Sequence, residues 1–351
     1  DSGDALTPID LDLGEIEVVG PPPQPRRPGW RLPLGLFVLT CASTYFGFAF
    51  YFHWGPMGIL ELGFPGALKV LVWDWYVPEA MIYSVCVMTI LLCHEMGHFL
   101  QARRYGVRTS YPIFLPMPIS PIGTLGAVIA MDSRIADRKA LFDIGITGPL
   151  AGLVPTLAFC WLGLHFGFSR VAEANPAGFQ FGEPLIFKLL AWLRFGPLAE
   201  GQDVLIGPMA IAGWVGLLIT ALNLLPIGQL DGGHILYALF RRRAHVIAST
   251  LLAGAVVGTI VFKLHGWWLM LLLLILMGPR HPPTSNDYAP LGKTRILLGW
   301  LMLAFLPLGF TPDPFPGMDR LDSEEPAEER QFQPPHQKRF QPPPSDERRW
   351  V

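Results

Sequence analysis

Two imidazoles and a carboxylate share one short run, at His94, Glu95 and His98. On a helix the histidines, four apart, project from one face. That spacing suits two ligands to a single zinc ion, with Glu95 beside them as general base. The surroundings are apolar. Residues 80–93 carry no charge, and Glu95 is the only formal charge before Arg103. An acidic side chain at mid-bilayer costs about 2.5–3.5 kcal/mol on insertion scales, so one retained there is a functional candidate by default. The bland alternative, histidines packed by chance, leaves that burial cost without a reason.

The chain of 351 residues is 51% hydrophobic and only 15% charged, with a mean hydropathy of +0.38. Soluble domains carry about 25% charged residues. Several uninterrupted apolar runs therefore predict an all-α polytopic membrane protein of about six to seven transmembrane helices in a lipid bilayer. A net charge of −2 gives no argument for nucleic acid as a partner. Cys41, Cys86, Cys93 and Cys160 lie in apolar runs without C-x-x-C pairing and read as packing residues. Cys93 adjoins His94, but helical geometry turns it to another face. No cleavable signal peptide is expected, because the first apolar run follows a polar, Pro-rich stretch.

Residues 1–32 read as a disordered Pro-rich tail with a basic edge at Arg26, Arg27 and Arg31. Residues 33–310 are expected to form the transmembrane domain, with a catalytic core over about 80–245. Residues 311–351 read as a disordered, charged Pro/Gln-rich tail that repeats Phe-Gln-Pro-Pro at Phe332 and Phe340. Spans are predicted over 33–52, 80–102, 141–166, 204–225 and 246–262, with a last one over 294–310. The short run 267–277 reads as a sixth span or a re-entrant hairpin. Trp54, Trp73, Trp75 and Tyr76 suggest an interfacial belt, within which 67–73 dips into the membrane or lies along it. Residues 110–131 are not helical. Pro112, Pro116, Pro118 and Pro121 precede a glycine-punctuated apolar run with β character at 123–131. A short re-entrant β-hairpin fits there, provided that it packs on protein or lines a wet cavity. Residues 167–203 read as a loop containing a short apolar run at 185–193.

Basic clusters flank the start of span one, the end of span two, the start of span three and the end of span four. If each span crosses once, all four clusters face one side, the cytoplasmic side by the positive-inside rule. A catalytic zinc needs a third protein ligand and one open position. Asp231 is the better candidate, because it precedes Arg241–Arg243 as His98 precedes Arg103, at similar depth. His234, one turn further on, is the rival ligand, and a turn or helix cap is the ordinary job of such an aspartate. Asn223 is either an interhelical hydrogen-bonding group or a donor to a scissile carbonyl and its oxyanion.

Taken together, these residues resemble the site-2 protease family of intramembrane zinc metalloproteases. The resemblance rests on His94-Glu95-Met96-Gly97-His98, on Gly148-Pro149-Leu150-Ala151-Gly152, and on Asn223-x-x-Pro226 leading to Leu230-Asp231-Gly232-Gly233-His234. It covers about residues 80–245. It implies one zinc per chain held by His94, His98 and Asp231, with Glu95 as catalytic base. It also implies single-span transmembrane protein substrates, an upstream protease acting on the same substrate, and the 121–131 segment as a membrane-embedded hairpin. The expected setting is a bacterial cytoplasmic membrane, with the site toward the cytoplasm. The 167–203 segment is too short for the PDZ domain of many members, and the C-terminal tail does not resemble CBS domains. The competing class is a zinc carrier or metal-dependent scaffold. A carrier has no need of Glu95 directly after the first histidine, and no path of further polar sites is visible.

Overall fold

The apolar runs fold as helices because a helix satisfies its own backbone hydrogen bonds, which hydrocarbon cannot do for it. The computed structural model describes residues 29–54, 77–131, 136–173 and 180–316. Most of both expected tails and the segment 55–76, with most of the expected aromatic belt, lie outside the described residues. Helix α1 (Arg31–Phe48) continues into a π-helical stretch, Ala49–Trp54. Helix α2 (Pro78–Arg104) opens on a proline, whose missing N–H is no loss in a first turn. Strands β1 (Ile113–Pro116) and β2 (Thr124–Val128) follow. Helix α3 (Arg138–Phe166) is capped by Asp137, whose carboxylate accepts the Ala140 N–H at 2.7 Å. Then come β3 (Arg170–Glu173), α4 (Leu185–Phe195), β4 (Gln202–Leu205) and α5 (Pro208–Asn223). The described chain continues with α6 (Asp231–Phe240), α7 (Arg243–Val261), α8 (Trp268–Met277) and α9 (Lys293–Gly309).

The described residues are mostly helical, with two small antiparallel sheets, β1–β2 and β3–β4. Four described helical runs are long and apolar enough to cross a membrane: Arg31–Phe52, Pro78–Arg104, Arg138–Phe166 and Arg243–Val261. Their outer faces are apolar as well, with Val38, Val85, Val154 and Val257 each more than half exposed. The expected fourth span begins later than its hydropathy suggests. Residues 202–205 pair with β3 as a strand, and Pro208 sets the helix start. Its 16 residues reach about 24 Å at 1.5 Å per residue, short of a hydrocarbon core of about 30 Å. The 10 residues of α8 are shorter still, so that helix alone does not cross.

The core lies where α2, α3 and α5 pack together. Tyr83, Leu91, Phe142, Leu164, Trp214 and Leu217 are fully buried in it. Trp214 donates its indole N–H to the Gly182 carbonyl at 2.7 Å, which satisfies the polar end of a buried ring. The β1–β2 hairpin pairs Ile113 with Val128 and Phe114 with Ala127. It is pinned on helices. Ser43 of α1 donates to the Gly123 carbonyl at 2.6 Å, and Tyr83 of α2 donates to the Ile122 carbonyl at 2.9 Å. Gly123 has φ +80°, and a Cβ there would meet Thr44 Cα at 2.4 Å, so only glycine permits this docking.

The end of the bundle that bears the α2 C-terminus is held by charge. Arg295 of α9 clamps Asp143 of α3 through two bonds of 2.7 and 2.8 Å, and the Tyr105 hydroxyl donates to the same carboxylate. Arg295→Ala leaves a partly buried carboxylate without its bidentate partner. It is expected to cost about 1–3 kcal/mol, read as a lower unfolding midpoint in detergent.

The connection between α8 and α9 is tied down by Asp287. Burial pushes its carboxyl upward, but hydrogen bonds from Thr284 at 2.6 Å and Tyr237 at 2.9 Å outweigh that and hold it below its ordinary value. A depressed acid stabilises the fold above its unfolded pKa of about 3.9, and that contribution fades as pH falls through the folded value. Proteolytic nicking of residues 280–290 is therefore expected to rise below about pH 4, and to depend less on pH in Asp287→Asn.

Candidate metal centre

Helical periodicity places the first two donors. His94 and His98 share one face of α2, and their Nε2 atoms lie 3.2 Å apart. The third comes from a break in the chain. After α5 ends at Asn223, the chain turns through residues 224–230 and restarts as α6 at Asp231. The turn is tight. A Cβ on Gly232 would lie 2.0 Å from the Leu224 carbonyl oxygen, so glycine there lets the first turn of α6 seat against the end of α5. Asp231 is the first residue of that helix, where the helix dipole favours a carboxylate. Its Oδ2 lies 3.0 Å from His94 Nε2, and its Oδ1 lies 3.2 Å from His98 Nε2.

These three donors fit a metal. A tetrahedral ion with ligand bonds of about 2.0–2.2 Å sets its ligand atoms about 3.4 Å apart. The shortest donor-to-donor distances, 3.2 Å between the imidazoles and 3.0 and 3.2 Å from them to the two Asp231 oxygens, are within a few tenths of an ångström of that figure. The donor set, two imidazoles and one carboxylate, is that of a catalytic zinc site with room for a fourth ligand. The tautomer also fits. His98 donates its Nδ1–H to the Ile144 carbonyl at 2.7 Å, which leaves the Nε2 lone pair facing the other donors.

Helix α3 shapes the space behind them. A Cβ on Gly148 would stand 1.9 Å from His98 Nε2, and one on Gly152 would stand 3.0 Å from His94 Cβ. The glycines of the Gly148–Gly152 motif thus make room for the imidazoles, a more specific task than general helix packing.

Glu95 is 4% exposed and lines the same cavity, of about 150 Å³. It has no side-chain hydrogen bond or ion pair among the described residues. Its carboxylate nevertheless is not sealed from the cavity, since no buried side-chain polar atom there is unpartnered. Asn223, the last residue of α5, places its amide nitrogen 3.4 Å from His94 Nε2. Ala127, Val128 and Ile129, at the end of β2, form another wall of the cavity.

All five residues singled out in the sequence therefore meet in one place: His94, Glu95, His98, Asn223 and Asp231. His234 lines the cavity but is not one of the three clustered donors, and its Nδ1 lies 2.7 Å from His281 Nε2. Cys93 is a free thiol outside the triangle. The Ile144 carbonyl, the clearance at Gly148 and the part taken by His281 escape a reading of the sequence. A backbone carbonyl carries no residue signature, and His281 is a lone histidine in a Pro-rich connection.

A family model described as peptidase family M50 matches residues 82–264. Similar curated proteins include "Probable zinc metalloprotease EGY2, chloroplastic" of Oryza sativa subsp. indica, 31% identical over 253 residues, or 68% of this chain and 45% of that protein. The japonica "Probable zinc metalloprotease EGY1, chloroplastic" is 33% identical over 63% of this chain and 38% of its own length. An Arabidopsis thaliana protein named as EGY2 is 30% identical over 73% of this chain and 43% of its own length. The chain thus spans less than half the length of these relatives. Their names place them in chloroplasts rather than in the bacterial membrane expected from the sequence. The match over residues 82–264 contains every donor and cavity residue singled out above, and on that basis this multi-pass membrane chain belongs to peptidase family M50.

Proposed function

We propose that this chain is a membrane-embedded zinc endopeptidase that cuts transmembrane protein substrates within or near the bilayer. The observation that carries the reading is the His94–His98–Asp231 triangle with the Glu95 carboxylate on the same cavity. The relatives' names, zinc metalloproteases, support the same class. Zinc, when bound, polarises a carbonyl and lowers the pKa of water beside it. Glu95 takes a proton from the attacking water and hands it to the leaving amine. Asn223 donates its amide to the developing oxyanion.

A substrate helix has every backbone group bonded internally and must unwind locally before it is cut. β2 pairs only with β1 among the described strands and ends at the cavity. Its free edge gives the unwound segment a strand to pair with. In the six-to-seven-span reading, α5 and the 17-residue α9, each a few ångströms short of the hydrocarbon core, cross where the bilayer thins to meet them, in addition to the four long helical runs. The basic clusters at Arg103, Arg104 and Arg241–Arg243 then mark the cytoplasmic side, toward which the site opens. Single-span proteins, cut beforehand by an upstream protease, are the proposed partners.

The test is a cleavage assay on a panel of single-span proteins with purified protein. Chelation by 1,10-phenanthroline is expected to stop cleavage, and a stoichiometric return of zinc is expected to restore it. A protein that retains about one zinc per chain but cuts none of the panel would favour the carrier instead.

A further inference from the structure

His234 lies one helical turn beyond Asp231 and lines the same cavity, yet the donor triangle does not use it. Its hydrogen bonding defines its protonation. His281 presents its Nδ1 to the Pro282 carbonyl at 2.6 Å. A carbonyl only accepts, so the His281 proton is on Nδ1 and its Nε2 bears a lone pair. That Nε2 lies 2.7 Å from His234 Nδ1, which must therefore donate. A neutral His234 then has an unprotonated Nε2. Among the described residues this atom has no hydrogen-bond partner, and no buried side-chain nitrogen is unpartnered, so it opens onto the cavity.

His281 is built in firmly. It is 4% exposed, stacks on Tyr237 with ring centroids 4.5 Å apart, and has its own carbonyl held by His245 Nε2–H at 3.1 Å. Burial pushes its imidazole down to about 4, against the pull of the Pro282 carbonyl, so it is neutral at physiological pH.

We propose that His234 is a substrate-binding residue whose Nε2 accepts a backbone N–H of the unwound substrate, in a tautomer imposed by His281 and the Pro282 carbonyl. This rests on the proteolytic reading above. Unwinding strips peptide N–H groups of their partners, and an orphaned N–H away from water is costly. The free edge of β2 takes up some of them. A neutral acceptor on the same cavity takes one more without adding charge to a space that Glu95 and Asp231 also line.

The test separates binding from turnover by using the Glu95→Gln background. The probe is a fluorescent single-span peptide with a Leu/Ala membrane segment broken by Asn-Gly. A set of variants of it carries an N-methyl group at one backbone amide at a time. His234→Phe is expected to weaken peptide binding about ten-fold, with metal content unchanged. N-methylation at one position should weaken binding to the His234 form and have no further effect in His234→Phe. His281→Leu should behave like His234→Phe, whereas His281→Gln, which keeps an acceptor oxygen, should bind nearly as the parent does. Additive effects at every N-methyl position, or loss of metal in His234→Phe, would overturn the proposal. A wild-type protein that neither binds nor cuts the peptide would instead overturn the proteolytic reading.

Discussion

Asp231→Ala is expected to lose both metal and cleavage, whereas Glu95→Gln keeps the metal and loses cleavage alone. The distinction follows from position. The Asp231 carboxylate closes the triangle, touching both imidazole nitrogens within 3.2 Å. Without it two histidines remain, one donor short of a catalytic zinc site. Affinity should fall by more than the roughly 10–100-fold seen when a supporting outer partner is lost. Glu95 is on the cavity wall and outside the triangle. Its amide analogue preserves shape but cannot take a proton, and general-base catalysis contributes roughly 10²–10⁴-fold. Elemental analysis of the purified variants beside the cleavage assay gives both readouts. Metal loss in Glu95→Gln, or normal cleavage by it, would contradict the assignment of roles.

Gly148→Ala should do almost as much damage from a residue that binds nothing. Its added methyl would stand 1.9 Å from His98 Nε2, with other ring atoms at 2.3 and 2.4 Å. The imidazole must then swing away, giving up the Ile144 carbonyl bond, or α3 must draw back from α2. Overpacking of this kind costs about 1–3 kcal/mol, and here the strain falls on a ligand. The expected outcome is weaker metal binding by about 10–100-fold and a matching loss of cleavage, with the variant still folded. Gly254→Ala is the control, since a methyl on that helical glycine meets nothing within 4 Å. It is expected to leave metal and cleavage unchanged, with an unfolding midpoint no lower than the parent's. Equal effects of the two substitutions would show that the clearance behind His98 is unimportant.

The hairpin and the fourth span show where hydropathy and composition stop being informative. Four prolines and the glycine-punctuated run after them excluded a helix over residues 110–131, and the observed β1–β2 pairing agrees. Hydropathy placed the start of the fourth span at Val204, but the backbone of 202–205 bonds to β3 instead. Apolar content is common to a membrane helix and a short strand, and the choice between them depends on a partner 30 residues away. The β3–β4 pairing was invisible for the same reason.

The sequence by itself determined the membrane class, the pair of histidines on one helical face, and the carboxylate beside them. These are local properties: hydropathy along a run, and a period of 3.6 residues. It also pointed to Asp231, through matching distances from two basic clusters. Only the tertiary structure closed the site, because Asp231 is 137 residues from His94 and meets it where α6 restarts after a turn. It alone gave Gly148 its task and separated His234 from the metal donors. Clearances and hydrogen-bond partners belong to pairs of elements, and no stretch of one element encodes them.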